Sequence, residues 1–121
     1  MAAFVKFEVP SDLMEKQLAF LEKAKKKGKI KIGINEVTKA VERGNAKLVF
    51  MALDVTPQEI LMHVPVICAE KNIPFSYIST KKDLGEKSGI AVGTSAIAVL
   101  EEGDAKSELQ DIVNKLKEIS K

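Results

Sequence analysis

The chain is poor in the residues on which most enzymatic and extracellular chemistry depends. It has one cysteine, Cys68, one histidine, His63, and no tryptophan. A lone cysteine excludes an internal disulfide framework and a thiolate metal cluster, and makes a reducing compartment the expected home. No apolar run approaches membrane-spanning length. Lys6 and Glu8 interrupt "MAAFVKFEVP" where a signal peptide would need an unbroken apolar stretch, so the expected location is cytoplasmic, away from any membrane. There is no G-x-G-x-x-G, no phosphate-binding loop ending in Lys and Ser or Thr, and no hydrolytic triad. A small-ligand or nucleotide-binding α/β enzyme domain stays open as the alternative, with no motif of its own, and no cofactor is expected. The aromatics are Phe4, Phe7, Phe20, Phe50, Phe75 and Tyr77, without the signature of an RNA-recognition sheet. His63 has no carboxylate or cysteine constellation around it and reads as a surface or interface residue. Cys68 reads as a buried helix position.

What is present is globular and polarised in charge. The 121 residues are 45% hydrophobic, enough for one domain, 1–121, with its own core. The net charge of +2 hides an asymmetry: Lys23 to Lys47 holds nine basic residues and two acids, whereas the other 96 residues hold 10 basic and 15 acidic groups. A basic quarter on an acidic remainder is the footprint of a face that meets a polyanion. The lysine run "KAKKKGKIK" also reads as a solvated helix end, since lysine near a helix C-terminus is favoured by the dipole.

Strand-like and helix-like patterns alternate along the chain. "FVKFEV" (Phe4 to Val9) alternates apolar and polar residues as a strand does, and Asp12 with Glu15 resembles a capping box opening a helix whose apolar stripe is Met14, Leu18 and Leu21. Gly28 supplies its stop. "KIKIG" reads as a short strand, "GINEVTKAVERG" as a short helix closed by Gly44, and "AKLVFMAL" as a strand covered on both faces. "TPQEILMHVPVICAEKN" reads as a helix capped by Thr56, with Pro57 first and Pro65 as a kink. "IPFSYIS" and "TSAIAVLE" are strands around a capped helical turn, "TKKDLGEKSG". Asp104 then caps a final helix with Leu109, Ile112, Val113, Leu116 and Ile119 at helical spacing. This order predicts an α/β fold, a three-layer α/β/α sandwich around a small mixed sheet.

The helix "GINEVTKAVERG" carries the candidate chemistry. At about 100° per residue, Asn35, Glu36, Lys39 and Arg43 share one arc roughly 100° wide, with Val37 and Val41 opposite as a mounting. Its N-terminal N–H groups favour an anion. Glu36 is a pure acceptor that would repel phosphate unless aimed at base N–H groups, and Asn35 both donates and accepts, so the pair suits base reading. The same residues also fit ordinary helix structure, with Asn35 as N-cap, an acid in the first turn and bases in the last. In "SGIAVGTS", Ile90, Ala91 and Val92 lie between glycines, either as an apolar loop tip that could cover an unstacked base or as strand residues facing the core.

From about Phe4 to the final helix, the chain resembles the kink-turn-binding ribosomal protein family, in particular its archaeal large-subunit branch. The signature G-x-N-E-x-x-K-x-x-x-R-G, read here from Gly33 to Gly44, carries the resemblance. It implies a sandwich fold that binds an RNA bulge flanked by tandem sheared G·A pairs. It further implies that Asn35, Glu36 and Lys39 read those pairs, that Gly33 allows close backbone approach, and that Arg43 continues the face. The family's apolar loop over the bulged base maps to Ile90, Ala91 and Val92, and Lys81 to a position near the RNA. Ile34 and Val37 stand where relatives often carry Thr, and Leu53 where an acid is frequent. The partners implied are large-subunit rRNA, box C/D and H/ACA guide RNAs and ribonuclease P RNA. A guide-particle scaffold protein and fibrillarin are the protein partners, and the free chain is expected as a monomer.

Overall fold

The computed structural model describes residues 5–90 and 92–119. Along the chain run α1 (Ser11–Lys27), β1 (Lys29–Ile32), α2 (Ile34–Glu42), β2 (Leu48–Ala52), a 3-10 turn (Gln58–Ile60), α3 (His63–Lys71), β3 (Phe75–Ile78), α4 (Lys81–Lys87), β4 (Ala96–Glu101) and α5 (Lys106–Ile119). The strands form one mixed sheet in the order β1-β4-β2-β3, with β2 and β3 parallel and β4 antiparallel to both β1 and β2. Every residue of β2 is buried, as a central strand covered on both faces requires. On one face Phe20 of α1 meets Phe50 edge-on, ring centroids 6.3 Å apart. α1 packs in turn on α4 and α5, whereas α2 and α3 pack together, α2 through buried Val37, Ala40 and Val41. The expected α/β sandwich with a small mixed sheet is thus what the chain forms.

Several local expectations are corrected. Residues 5–9 pair with no strand, and Phe4 lies outside the described residues. Val5, Phe7 and Val9 are half-buried between exposed Lys6 and Glu8, so the alternation reports an extended segment with one covered side rather than a ladder. Its anchors are side chains: the Lys6 N–H donates to Tyr77 Oη at 2.9 Å, and the Phe7 ring lies 5.1 Å from Tyr77 and 5.9 Å from Phe75. No capping box opens α1. Pro10 occupies the cap position in extended conformation, and its carbonyl accepts from the Met14 N–H at 2.9 Å. The buried face of α1 is Leu13, Gln17, Phe20, Leu21 and Ala24, with Met14 and Leu18 only half-covered. Gly28 does end the helix, and a Cβ there would sit 2.0 Å from the Glu101 carbonyl oxygen.

The long helix expected after Thr56 is split earlier than Pro65. The 3-10 turn ends at Ile60 and α3 begins at His63, which puts Pro65 in a first turn, where a missing N–H costs no hydrogen bond. Asp104 does not cap α5. The Ala105 carbonyl accepts from the Leu109 N–H at 2.9 Å, one position further on.

Among the buried polar residues, Gln17 is the largest. Gln17 is fully buried, donates from Nε2 to the Tyr77 carbonyl at 2.8 Å, and accepts from the Ser76 hydroxyl. It ties α1 to β3 by direction as well as by contact.

Candidate nucleic-acid interface

Gly33 sets the geometry of the candidate interface. Its φ of 95° and ψ of 151° form a conformation that L side chains rarely adopt, while a Cβ there would touch nothing within 4 Å. The requirement for glycine is therefore conformational, and the space beside it is open. The Gly33 N–H donates to the Ala96 carbonyl at 2.9 Å and its carbonyl accepts from Val37 at 3.0 Å, so Gly33 is the cap of α2. This overturns the reading of Asn35 as N-cap. Asn35 is the second residue of the helix, exposed, with no side chain capping the helix end. The N–H groups of this first turn lack partners within the helix by geometry. Glu36, half-exposed, lies 3.6 Å from exposed Lys39, and Arg43 is exposed at the helix C-cap.

The remaining candidates converge on the same end of the sheet. Ala52 at the end of β2 donates to Ser95 at 2.9 Å, next to Ala96, to which Gly33 is bonded, and Leu53 donates to Ile78 at the end of β3. Thr80 caps α4 by accepting from the Asp83 N–H at 3.0 Å. The Lys81 N–H donates to Asp54 Oδ1 at 2.7 Å, and the Lys81 carbonyl accepts from Thr94 at 3.1 Å. Three chain segments distant in sequence are pinned together by these bonds. Asp54, Gly85 and Thr94 had no local signal, because their partners are far along the chain.

The loop before β4 is neither strand nor uniformly outward. Ile90 is half-buried, with its N–H on the Gly85 carbonyl at 3.1 Å; Val92 is 71% exposed; Ala91 lies outside the described residues. A Cβ on Gly85 would approach the Val92 carbonyl oxygen to 2.1 Å, a contact with backbone that only a loop shift relieves. Gly85→Ala should therefore cost about 1–3 kcal/mol by overpacking, and amide shifts in an NMR spectrum should spread through residues 89–94. Chemical shifts unchanged beyond residue 86 would contradict this geometry.

The other chemistry-bearing side chains form no site. His63 is exposed and its Nε2 lies 2.8 Å from Thr38 Oγ1, a bridge between α3 and α2 beside Asn35 and Lys39. Cys68 is fully buried, and burial pushes its thiol up to about 12, which leaves it unreactive. No group of three or more His, Cys, Asp or Glu among the described residues could hold a metal ion, and no described helix is long and apolar enough to cross a membrane.

The lysine run is adjacent to the signature in sequence but not in space. Lys25, Lys26 and Lys27 are exposed in the last turn of α1, and the length of β1, about 13 Å, separates them from Gly33. Lys23 and Lys47 pair with Glu108 at 3.0 Å and Glu102 at 2.7 Å.

Residues 15–109 match the family model described as the ribosomal protein L7Ae/L30e/S12e/Gadd45 family. Among solved structures, the chain is similar to a 15.5kD RNA binding protein of Giardia lamblia. The two share 30% identity with a TM-score of 0.88, over 98% of each chain.

Proposed function

Because this chain belongs to the ribosomal protein L7Ae/L30e/S12e/Gadd45 family, we propose that it acts on RNA as a kink-turn-binding protein, one domain over residues 1–121. RNA binding without catalysis is the family's character, which removes the enzyme alternative. The observation that carries the finer reading is α2 itself: Asn35 stands exposed and Glu36 half-exposed on the first turn, beside a glycine cap with open space, on a helix anchored by buried Val37, Ala40 and Val41. Regular A-form RNA keeps its base edges in a deep, narrow groove, so a short helix end can read bases only where non-Watson-Crick pairs and a bend open it. Asn35 and Glu36 would meet the edges of sheared G·A pairs, Lys39 would leave Glu36 to join them, and Arg43 and Lys81 would hold phosphates. Val92, together with Ile90 and Ala91, would cover the splayed base.

Binding of this kind stabilises the bent form of an RNA that samples straight and bent states, by the difference in affinity for the two. The protein is thereby an architectural platform. Large-subunit rRNA, box C/D and H/ACA guide RNAs and ribonuclease P RNA are the RNAs proposed. A guide-particle scaffold protein and fibrillarin would join on the assembled RNA, and the free protein is proposed as a cytoplasmic monomer. Calorimetry with a kink-turn RNA and with a variant whose tandem G·A pairs are Watson-Crick pairs tests the reading. Affinity should fall by about 1–3 kcal/mol per lost base contact in the variant. Equal affinity for both RNAs would reduce the interface to a nonspecific basic surface.

A further inference from the structure

We propose that the last turn of α1 is a second RNA contact, made to phosphates alone. It would be engaged by RNA that continues past the bulge on the side of the Gly89–Gly93 loop. The proposal rests on the function above. Lys25, Lys26 and Lys27 are consecutive and exposed, and among the described residues none of them has a carboxylate partner within ion-pair distance. Lys23, Lys39, Lys47 and Lys87 each have one. Helix stability does not require all three. One cation complements the C-terminal dipole, whereas adjacent like charges repel each other.

Their position gives the cluster a use. The Lys25 side chain lies over the backbone of Gly89, where a Cβ would come within 2.5 Å of its Cε and 2.7 Å of its Nζ. Its ammonium therefore stands at the foot of the loop that carries Ile90 and Val92. Glu22, one turn back, pairs with Lys87 at 2.6 Å in an ion pair that ties α1 to α4, and it feels Lys26 only through space, as the weaker influence on its carboxylate. Glu101 and Asp104 are exposed around the turn at Gly28, where the Gly103 backbone packs on Lys27, so they weaken the field of Lys27 more than that of Lys25 or Lys26. An RNA helix leaving the bulge on this side would meet a lysine surface with no side chain shaped to read bases.

The test compares Lys25→Gln/Lys26→Gln/Lys27→Gln with the unaltered protein on three kink-turn RNAs. One RNA is minimal, one is extended by about ten base pairs on the bulge side, and one is extended equally on the opposite stem. With the unaltered protein, the bulge-side extension should steepen the salt dependence of binding by up to about 2–3 in log–log slope, at about 0.9 per phosphate neutralised. The triple variant should lose that increment, with roughly a ten-fold weaker affinity for that RNA only, and the corresponding Lys→Arg triple should restore it. Identical slopes for both proteins on the bulge-side RNA would overturn the proposal, as would an equal loss on all three RNAs. Failure of the unaltered protein to prefer G·A-containing minimal RNA would instead overturn the reading on which it rests.

Discussion

Replacing Asn35 and Glu36 together with alanine should weaken binding to a kink-turn RNA by roughly 2–6 kcal/mol, about one and a half to four orders of magnitude in Kd. The size follows from two base-reading side chains, each discriminating by about 1–3 kcal/mol. Folding should be almost untouched. Asn35 caps nothing, and the Glu36–Lys39 pair at 3.6 Å is exposed, the kind of surface ion pair that contributes little. The helix keeps its seat on the sheet through Val37, Ala40 and Val41, all buried. Binding to plain duplex RNA should stay the same or tighten slightly, because an acid that repels phosphate has been removed. This sign separates the base-reading role from a general basic surface. A parallel loss on kink-turn and duplex, or equal tightening on both, would refute the assignment of Glu36 as a base reader.

Gln17→Ala should destabilise the protein by about 3 kcal/mol while leaving the RNA affinity of the folded fraction unchanged. The substitution removes a buried donor to the Tyr77 carbonyl and the acceptor of the Ser76 hydroxyl, and opens a cavity beneath α1. Stranding the Ser76 hydroxyl alone accounts for about 1–3 kcal/mol. At this chain length the thermal midpoint should fall by roughly 10–15 °C. Adding Ser76→Ala should recover part of the loss, since a buried hydroxyl without a partner costs more than a methyl group in its place. Chemical denaturation curves of the three variants give the comparison. Full stability of Gln17→Ala would mean that the pairing across α1 and β3 contributes nothing.

The polar core residue illustrates where sequence reading stops. In "SDLMEKQLAFLEKAKKK" an apolar stripe can be drawn through Met14, Leu18 and Leu21, yet the helix rotates to bury Leu13, Gln17, Phe20, Leu21 and Ala24, so that of the drawn stripe only Leu21 is fully buried. Counting apolar residues cannot find Gln17, because its burial is justified by partners about 60 positions away. The N-terminal alternation failed for a related reason. Period two reports an extended backbone with one covered side, and whether a neighbouring strand accepts its hydrogen bonds depends on the sheet edge it meets. Here that edge offers the Tyr77 hydroxyl and the Phe75 ring instead.

The sequence by itself determined the element types and most of their order, the glycine stops at Gly28 and Gly44, and the shared face of Asn35, Glu36, Lys39 and Arg43. These depend on propensity, periodicity and capping, which act within about four residues and are therefore written locally. Only the tertiary structure decided that Gly33 rather than Asn35 caps α2, which leaves Asn35 exposed for other use. It also decided that Asp54, Lys81 and Thr94 close one end of the sheet, and that the lysine run stands against Gly89 instead of beside the signature. Those outcomes depend on which buried surfaces meet across the β1-β4-β2-β3 sheet. A hydrogen bond or a steric contact between residues 13 to 64 positions apart exists only after that packing is complete.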